Sequence, residues 1–562
     1  MLVRMKPHSP WVVKTLASLS LDEKIGQLLH PNVRPQVSSE ELFDALPPVR
    51  VGGMFLFSGS TEDFVRITNL LQDGPGLPLV ISTDLESGAG RMIQGATNFP
   101  DLMSTGAANS EALASLMGEA TAVEARAYGV HWTFGPVVDV NANPANPISN
   151  TRSLGDNPAK VARLAKALVE GLQKHGLAAT VKHFPGDGWD DRDQHLLTSI
   201  NPLIRPEWDR TSALPFRETF GRGADSGGAW TTMIGHIALP SVDPGDPADP
   251  FGPPPAIMSR KITTDLLRGE LGFDGLVVSD AIEMNGSMSR VRTPDEAIIN
   301  MINAGNDMLL FSIAKRDFEI LRRAVAEGRV TRERIDEACA QVLALKERLG
   351  FASNPASARP AADPEKVLAP HRARFAQASR ELARRALTLV HSDGRVPLTL
   401  KAGDRLLVVH LRSNPEYQVD GLDNLLKVRG VVVDRRTEAD SAFDLRNLDY
   451  SKYKAVLMAW VVGPTWGTNF IRPAGAWMRS GWFVRHEQPL CPHVHVSFGT
   501  PYLVHDLPWA DTLLNAYSPD PSTLEAVVEW LFGELTPNGI SPVDLDRPAK
   551  IRELVAREFS RG

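Results

Sequence analysis

Ala178-Ala179-Thr180-Val181-Lys182-His183-Phe184-Pro185-Gly186-Asp187-Gly188-Trp189-Asp190-Asp191-Arg192-Asp193-Gln194-His195 is the stretch from which the fold is read. An apolar helical pattern, Val161 to Gly176, precedes it. Ala178 to Val181 is short and β-prone, and a loop with two glycines and a proline follows. A helix, a short strand and a polar loop in that order make one unit of an α/β fold. Lys182 and His183 then stand at the C-terminal end of the strand, where an α/β barrel keeps its chemistry. The loop beyond them carries Asp187, Asp190, Asp191, Asp193 and His195. A solvated connector would also be acidic, but the alternation Asp193-Gln194-His195 is more specific. A carboxylate two residues from an imidazole can hold its tautomer and raise its pKa, which suits a general acid near neutral pH.

Outward from this stretch the same rhythm repeats. Short apolar strands are expected at Val51–Phe57, Pro78–Thr83, Thr133–Val140, Thr231–Ile237, Leu276–Ser279 and Asp307–Phe311. Helical patterns lie between most of them, one around Phe64, Ile67 and Leu71. Ser20-Leu21-Asp22-Glu23 reads as a capping box that opens an early helix. About eight strands before residue 315 favour a closed (β/α)8 TIM-type barrel, although periodicity alone leaves an open doubly wound sheet possible. A helix from Thr331 to Leu349 stops at Gly350, and Ala352 to Pro370 has the Ala, Ser, Asn and Pro content of a linker. A charged helix, Arg372 to Ala386, leads into a second series of about five strands. They are placed at Arg405–His410, Gly430–Asp434, Ala455–Val461, Val494–Ser497 and Thr512–Ala516, with a last helix from Thr523 to Phe532. The expected organisation is a catalytic barrel over 1–351, a linker and connecting helix over 352–388, and an α/β sandwich over 389–562.

Composition narrows the function. A chain of 562 residues exceeds what one core organises. Apolar residues make up 43% and charged residues 23%, the balance of an ordinary globular protein. A net charge of -7 points to neither nucleic acid nor an anionic membrane. Two distant cysteines, Cys339 and Cys491, form no disulfide framework and fit a reducing compartment. With no signal-like apolar run at the start, a cytoplasmic location is expected. His493 and His495 alternate on a strand without a third ligand, so no metal site is expected there. No cofactor is expected, because Gly-rich phosphate-binding fingerprints are absent. The oligomeric state is left open.

Lys182-His183-Phe184-Pro185-Gly186-Asp187-Gly188 followed by Asp193-Gln194-His195 resembles the signature of glycoside hydrolase family 3, in its β-N-acetylglucosaminidase branch. Gly272-Phe273-Asp274-Gly275-Leu276-Val277-Val278-Ser279-Asp280 resembles the family's nucleophile motif. Thr83-Asp84-Leu85-Glu86-Ser87-Gly88-Ala89-Gly90-Arg91 resembles a sugar-binding motif of the family, with Ser87 in place of a glycine and the spacing to Arg91 one residue shorter. Asn141 to Gly155 resembles its Asn- and Pro-rich loop, with Arg152 as the long donor. The resemblance implies Asp280 as nucleophile and His195, oriented by Asp193, as acid/base. It implies Asp84, Arg91, Arg152, Lys182 and His183 as substrate-binding residues. Phe498-Gly499-Thr500-Pro501-Tyr502 resembles a turn of the family's second domain and is read as structural.

The implied activity is that of a retaining exo-acting β-glycosidase, foremost a β-N-acetylglucosaminidase acting on aminosugar oligosaccharides through a covalent glycosyl-enzyme. Asp187 stands where that branch often has histidine and its glucosidases have aspartate, so a β-glucosidase or β-xylosidase remains an alternative. In the glucosidases the acid is a glutamate of the second domain, for which Glu416, Glu438 and Glu487 are candidates. Phosphorolysis of the same glycosides is a further alternative, because a histidine that has given up its proton does not repel an anionic acceptor. A non-catalytic sugar-binding relative would have no reason to keep Asp280, Asp193 and His195.

Overall fold

A computed structural model describes residues 8–221, 227–413, 419–437, 448–473 and 491–546. Glu416, Glu438 and Glu487 lie outside them. Two compact units form. The first comprises Met1–Asn98, Glu111–Val140 and Val161–Ala376; the second comprises Phe99–Ser110, Asn141–Lys160 and Gln377–Gly562.

In the first unit, parallel pairings run from Asn32–Val33 through Gly53–Leu56, Val80–Thr83, Trp132–Thr133, Ala178–Phe184 and Thr231–Ile234 to Leu276–Ser279. A bridge from Val278 to Met308 leads to Leu309–Leu310, which pairs with Leu29–His30. Leu29–His30 and Asn32–Val33 are two pieces of one stretch, broken at Pro31, which has no N–H to give. The result is a TIM-like α/β domain. Gly53–Leu56, Val80–Thr83, Ala178–Phe184, Thr231–Ile234 and Leu276–Ser279 are buried along their whole length, as strands covered on both faces must be. Inside, the Trp132 indole N–H donates to Thr180 Oγ1 at 2.7 Å and to Thr231 Oγ1 at 2.9 Å. That contact ties three neighbouring strands and satisfies a donor that burial would otherwise penalise.

The helices start where their caps dictate. Ser20 and Glu23 form the expected capping box, and Thr331 caps the helix Arg332–Arg348, which ends before Gly350 at φ 85°. Several strands are shorter than expected, among them Gly53–Leu56, Val80–Thr83 and Leu309–Leu310. Of the Thr133–Val140 run only Thr133 joins the ladder, in the strand Trp132–Thr133, because Pro136 interrupts it and a single bridge, Val137 to Lys182, remains. The Thr231 run stops at Ile234, where Gly235 lies close under Gln194 and His183. Ala178–Phe184 is longer than expected and takes Lys182 and His183 into the strand itself.

The second unit holds a six-stranded sheet ordered Thr388–His391, Thr512–Asn515, His493–Ser497, Ala455–Val461, Arg405–Arg412 and Val432–Thr437. Only the first pair is antiparallel. Alternate residues enter different apolar clusters: Leu406, Val408 and Leu457 in one, Leu407, Val409 and Val456 in the other. Period-two alternation puts these clusters on opposite faces, so both faces are covered. The strand expected at Gly430 begins at Val432, after Gly430 turns the chain at φ 84°. His493 and His495 are buried within the sheet, and among the described residues no cluster of His, Cys, Asp or Glu could hold a metal ion. The segment Asn141–Lys160 is bound within this unit: Asn141 Nδ2 donates to the Tyr502 hydroxyl at 2.8 Å, and Asn150 Nδ2 to Thr500 Oγ1 at 3.2 Å. Cys339 and Cys491 are both buried. Among the described residues no helix is long and apolar enough to cross a membrane.

Candidate active site

Because the barrel strands are parallel, the residues that follow each of them share one rim. Asp84 and Glu86 follow Val80–Thr83, Asp187 to His195 follow Ala178–Phe184, His236 follows Thr231–Ile234, and Asp280 follows Leu276–Ser279. Lys182 lies between two of the rim's carboxylates, with Nζ 2.7 Å from Glu86 Oε1 and 3.3 Å from Asp84 Oδ1. Its side chain is buried, whereas that of Asp84 is 43% exposed and open to a ligand. The Lys182–His183 and Phe184–Pro185 peptide bonds are cis.

His183 is held by Asp139. Its Nδ1 is 2.7 Å from Asp139 Oδ2, and its backbone N–H donates to Asp139 Oδ1 at 3.1 Å. The same oxygen accepts the Asp187 N–H at 2.8 Å. A buried carboxylate on Nδ1 fixes the imidazole's orientation and turns Nε2 away from it. Asp280 N–H donates to Ile234 O, and Asp280 Oδ1 accepts the Ala281 N–H at 2.8 Å. Low-polarity surroundings push the Asp280 carboxyl up, but His183, His236, the Ala281 amide and Lys182 outweigh them and hold it below its ordinary value. An ionised carboxylate at a barrel rim is what a nucleophile requires.

Asp193 is fully buried, and His195 Nδ1 lies 2.7 Å from its Oδ1, which also accepts the His195 backbone N–H at 2.8 Å. The His195 side chain is 34% exposed, so the ring is clamped on one side and reachable on the other. Two backbone bonds tie this loop to the segment after Asp280: Asn285 N–H donates to His195 O, and Gly286 N–H to Gln194 O, both at 3.1 Å. Trp189 anchors the loop, its indole N–H donating to Ser212 Oγ at 2.8 Å.

Of the residues expected in the site, Asp84, Lys182, His183, Asp193, His195 and Asp280 thus meet on one rim. Arg91 is exposed on a short 3-10 turn, Ala89–Arg91. Arg152 belongs to the second unit, on the turn Asn150–Arg152, where Nη1 donates to Ile148 O at 3.3 Å. Sequence reasoning gave no role to Glu86, Asp139, Gln194 or His236. Glu86 sits inside the Asp84 motif, and Asp139 ends an apolar run, both legible positions. His236 is buried, donates from Nε2 to Ala281 O at 3.0 Å, and has no partner at Nδ1 among the described residues. Burial holds it down to about 4, against the pull of Asp280.

Known proteins similar to this chain show its family. A relative from Cellulomonas fimi named beta-N-acetylglucosaminidase/beta-glucosidase is 34% identical over 95% of both chains. A solved beta-glucoside phosphorylase BglX is 30% identical, with a TM-score of 0.83 over 95% of both chains. A glycoside hydrolase family 3 beta-N-acetylglucosaminidase from Paenibacillus sp. str. FPU-7 is 28% identical, with a TM-score of 0.78 over 94% of this chain and 99% of that one. Residues 20–345 match the model of the glycosyl hydrolase family 3 N terminal domain. With a carboxylate and a carboxylate-clamped imidazole on the rim of a TIM-like domain, the chain is a glycoside hydrolase and belongs to family 3.

Proposed function

We propose that the protein is a retaining, exo-acting β-glycosidase whose foremost substrate is a terminal β-N-acetylglucosaminide. The observation that carries this reading is the buried Asp193 carboxylate clamping a partly exposed His195 on a loop bonded to the segment after Asp280. An Asp280 oxygen attacks the anomeric carbon as the bond to the leaving oxygen breaks, and His195 Nε2 gives that oxygen its proton. Water then attacks the glycosyl-enzyme, His195 takes its proton, and the bond to Asp280 breaks with retained configuration. Asp84, Lys182 and His183 hydrogen-bond the sugar hydroxyls, with Arg91 and Arg152 as further candidates. We read the second unit as an α/β sandwich.

The dual name of the Cellulomonas fimi relative supports N-acetylglucosaminides and glucosides alike, and Asp187 keeps the glucoside reading in play. Phosphorolysis is supported by the likeness to the beta-glucoside phosphorylase and by a physical argument. A carboxylate acid would become an anion after the first step, and two unit charges about 4 Å apart cost roughly 4 kcal/mol at an effective dielectric of 20. A neutral histidine avoids that repulsion. The test is a panel of aryl N-acetylglucosaminide, glucoside and xyloside, with and without phosphate at constant ionic strength, and with products separated. The N-acetylglucosaminide is expected to turn over fastest, with sugar 1-phosphate appearing beside free sugar as phosphate rises. Preference for glucoside or xyloside would replace the sugar assignment, and free sugar alone at millimolar phosphate would leave water as the sole acceptor.

A further inference from the structure

Gln194 separates the two residues read as the acid/base pair, yet it points away from them and is buried. Its Nε2 donates to Asp187 Oδ2 at 2.5 Å, and its Oε1 accepts the His236 N–H at 2.7 Å. Both ends of one amide are thus committed to opposite sides of the site. Asp187 leads through Asp139 to His183, since Asp139 accepts from the Asp187 and His183 amides and faces His183 Nδ1. His236 leads to the nucleophile's segment through its bond to Ala281 O. Gln194 O completes the arrangement by accepting the Gly286 N–H.

We infer that Gln194 is a positioning residue: its side-chain amide, held between Asp187 and the His236 backbone, sets where His195 stands relative to the sugar pocket and Asp280 before substrate arrives. This rests on the reading of Asp193 and His195 as the acid/base pair. The bonds that Asp193 makes to His195 fix only the imidazole's orientation on its own loop. They do nothing to fix the loop against the two strands that carry His183 and Asp280. Backbone bonds at Asn285 and Gly286 hold the loop to the segment after Asp280, and the Gln194 amide adds side-chain links to Asp187, after the His183 strand, and to His236, after the strand Thr231–Ile234 that lies between those of His183 and Asp280. A displacement of about 1 Å at a reacting group can cost two orders of magnitude in rate, so this link bears on turnover more than on binding.

A carboxylate cannot replace the amide at all pH values. Burial, and then the neighbouring Asp139, push the Asp187 carboxyl up, so a second carboxylate at 194 would share a proton with it at acid pH and repel it when that proton leaves. The groups facing this point are Asp187 on the loop, Asp139 on the preceding rim segment, His183 on its strand, and His236 with Asp280 beyond it. Asp193 and His195 flank it in sequence.

The experiment compares Gln194→Leu and Gln194→Glu with wild type and His195→Ala, reading kcat/KM on a dinitrophenyl glycoside and on a disaccharide. Gln194→Leu is expected to lose about 100-fold on the disaccharide and less than about 3-fold on the dinitrophenyl glycoside, because only the former needs its leaving group protonated. Gln194→Glu is expected to approach wild type at acid pH on the disaccharide and to fall away as pH rises, on an added limb that lies acid of the wild-type one. Equal losses on both substrates, or no loss, in Gln194→Leu would overturn the inference. If Gln194→Leu does not fold, the Gln194→Glu profile decides: the added limb supports the inference, and a wild-type profile overturns it. His195→Ala separates the two claims. Selective loss in His195→Ala without selective loss in Gln194→Leu removes Gln194 alone, whereas equal losses in His195→Ala remove the acid/base reading and the inference with it.

Discussion

Lys346 shows how far one side chain can stand from its ordinary state. It is fully buried in the helix Arg332–Arg348, and its Nζ donates to Gln27 Oε1 at 2.5 Å. Burial first, and Arg50 with it, bring it down to about 7 against the opposing pull of Cys339. The sign of the pH effect follows. Between about 7 and 10.5 the unfolded chain carries a proton that the folded one lacks, so stability rises with pH across that window, and the penalty is complete below it. A shift of this size corresponds to several kcal/mol. Lys346→Met should therefore raise the urea midpoint at pH 6 by far more than at pH 10; an advantage independent of pH would contradict the assignment. At this scale the sequence reveals residue types better than partners. Lys182, His183 and Asp280 were legible because strand ends locate them. Gln194 and His236 were not, because their roles come from bonds that a linear pattern does not contain.

Elements bring the chemistry together through loop-to-loop contacts. Gly286, in the short helix Asn285–Met288, donates to Gln194 O, and a Cβ added there would lie 2.5 Å from His236 Cβ and 2.6 Å from Gln194 O. Neither neighbour can yield without moving the His195 loop. Gly286→Ala should lower kcat/KM on a disaccharide by about 100-fold, with a smaller loss on an activated aryl glycoside; equal losses would mean that the pocket itself has shifted. Most strands were legible because burial on both faces leaves continuous apolar runs, and Ala455–Val461 matches its expected bounds. Thr388–His391 escaped notice, since an edge strand of four residues, partly exposed, carries no such run. The break at Pro136 was readable in principle, because a residue without an N–H cannot continue a central ladder.

Across the whole molecule, acid is the expected weakness. His30 and His236 in the first unit, and His493 and His495 in the second, are held by burial at about 3 or 4. His131 is also held well below its ordinary value by burial. As pH falls below 6.5 the unfolded chain gains protons that these folded side chains refuse, so stability falls from about 6.5 down to about 3 or 4. The melting temperature should hold near neutral pH and fall steeply between pH 6 and 4, and a flat profile to pH 4 would contradict this. The division of the chain was the least legible feature at this scale. Phe99–Ser110 and Asn141–Lys160 lie within the stretch 1–351 expected as the barrel but belong to the second unit, and the bond from Asn141 to Tyr502 joins motifs too far apart in sequence to suggest each other. In the proposed mechanism Asp280 attacks the anomeric carbon. Its most direct test is to incubate the enzyme with an activated 5-fluoro-β-glycoside of the sugar it turns over fastest and to map the adduct by peptide mass. One glycosyl group is expected on the peptide containing Asp280, lost in Asp280→Asn. A label on another carboxylate, or no label together with direct release of the inverted anomer, would contradict it.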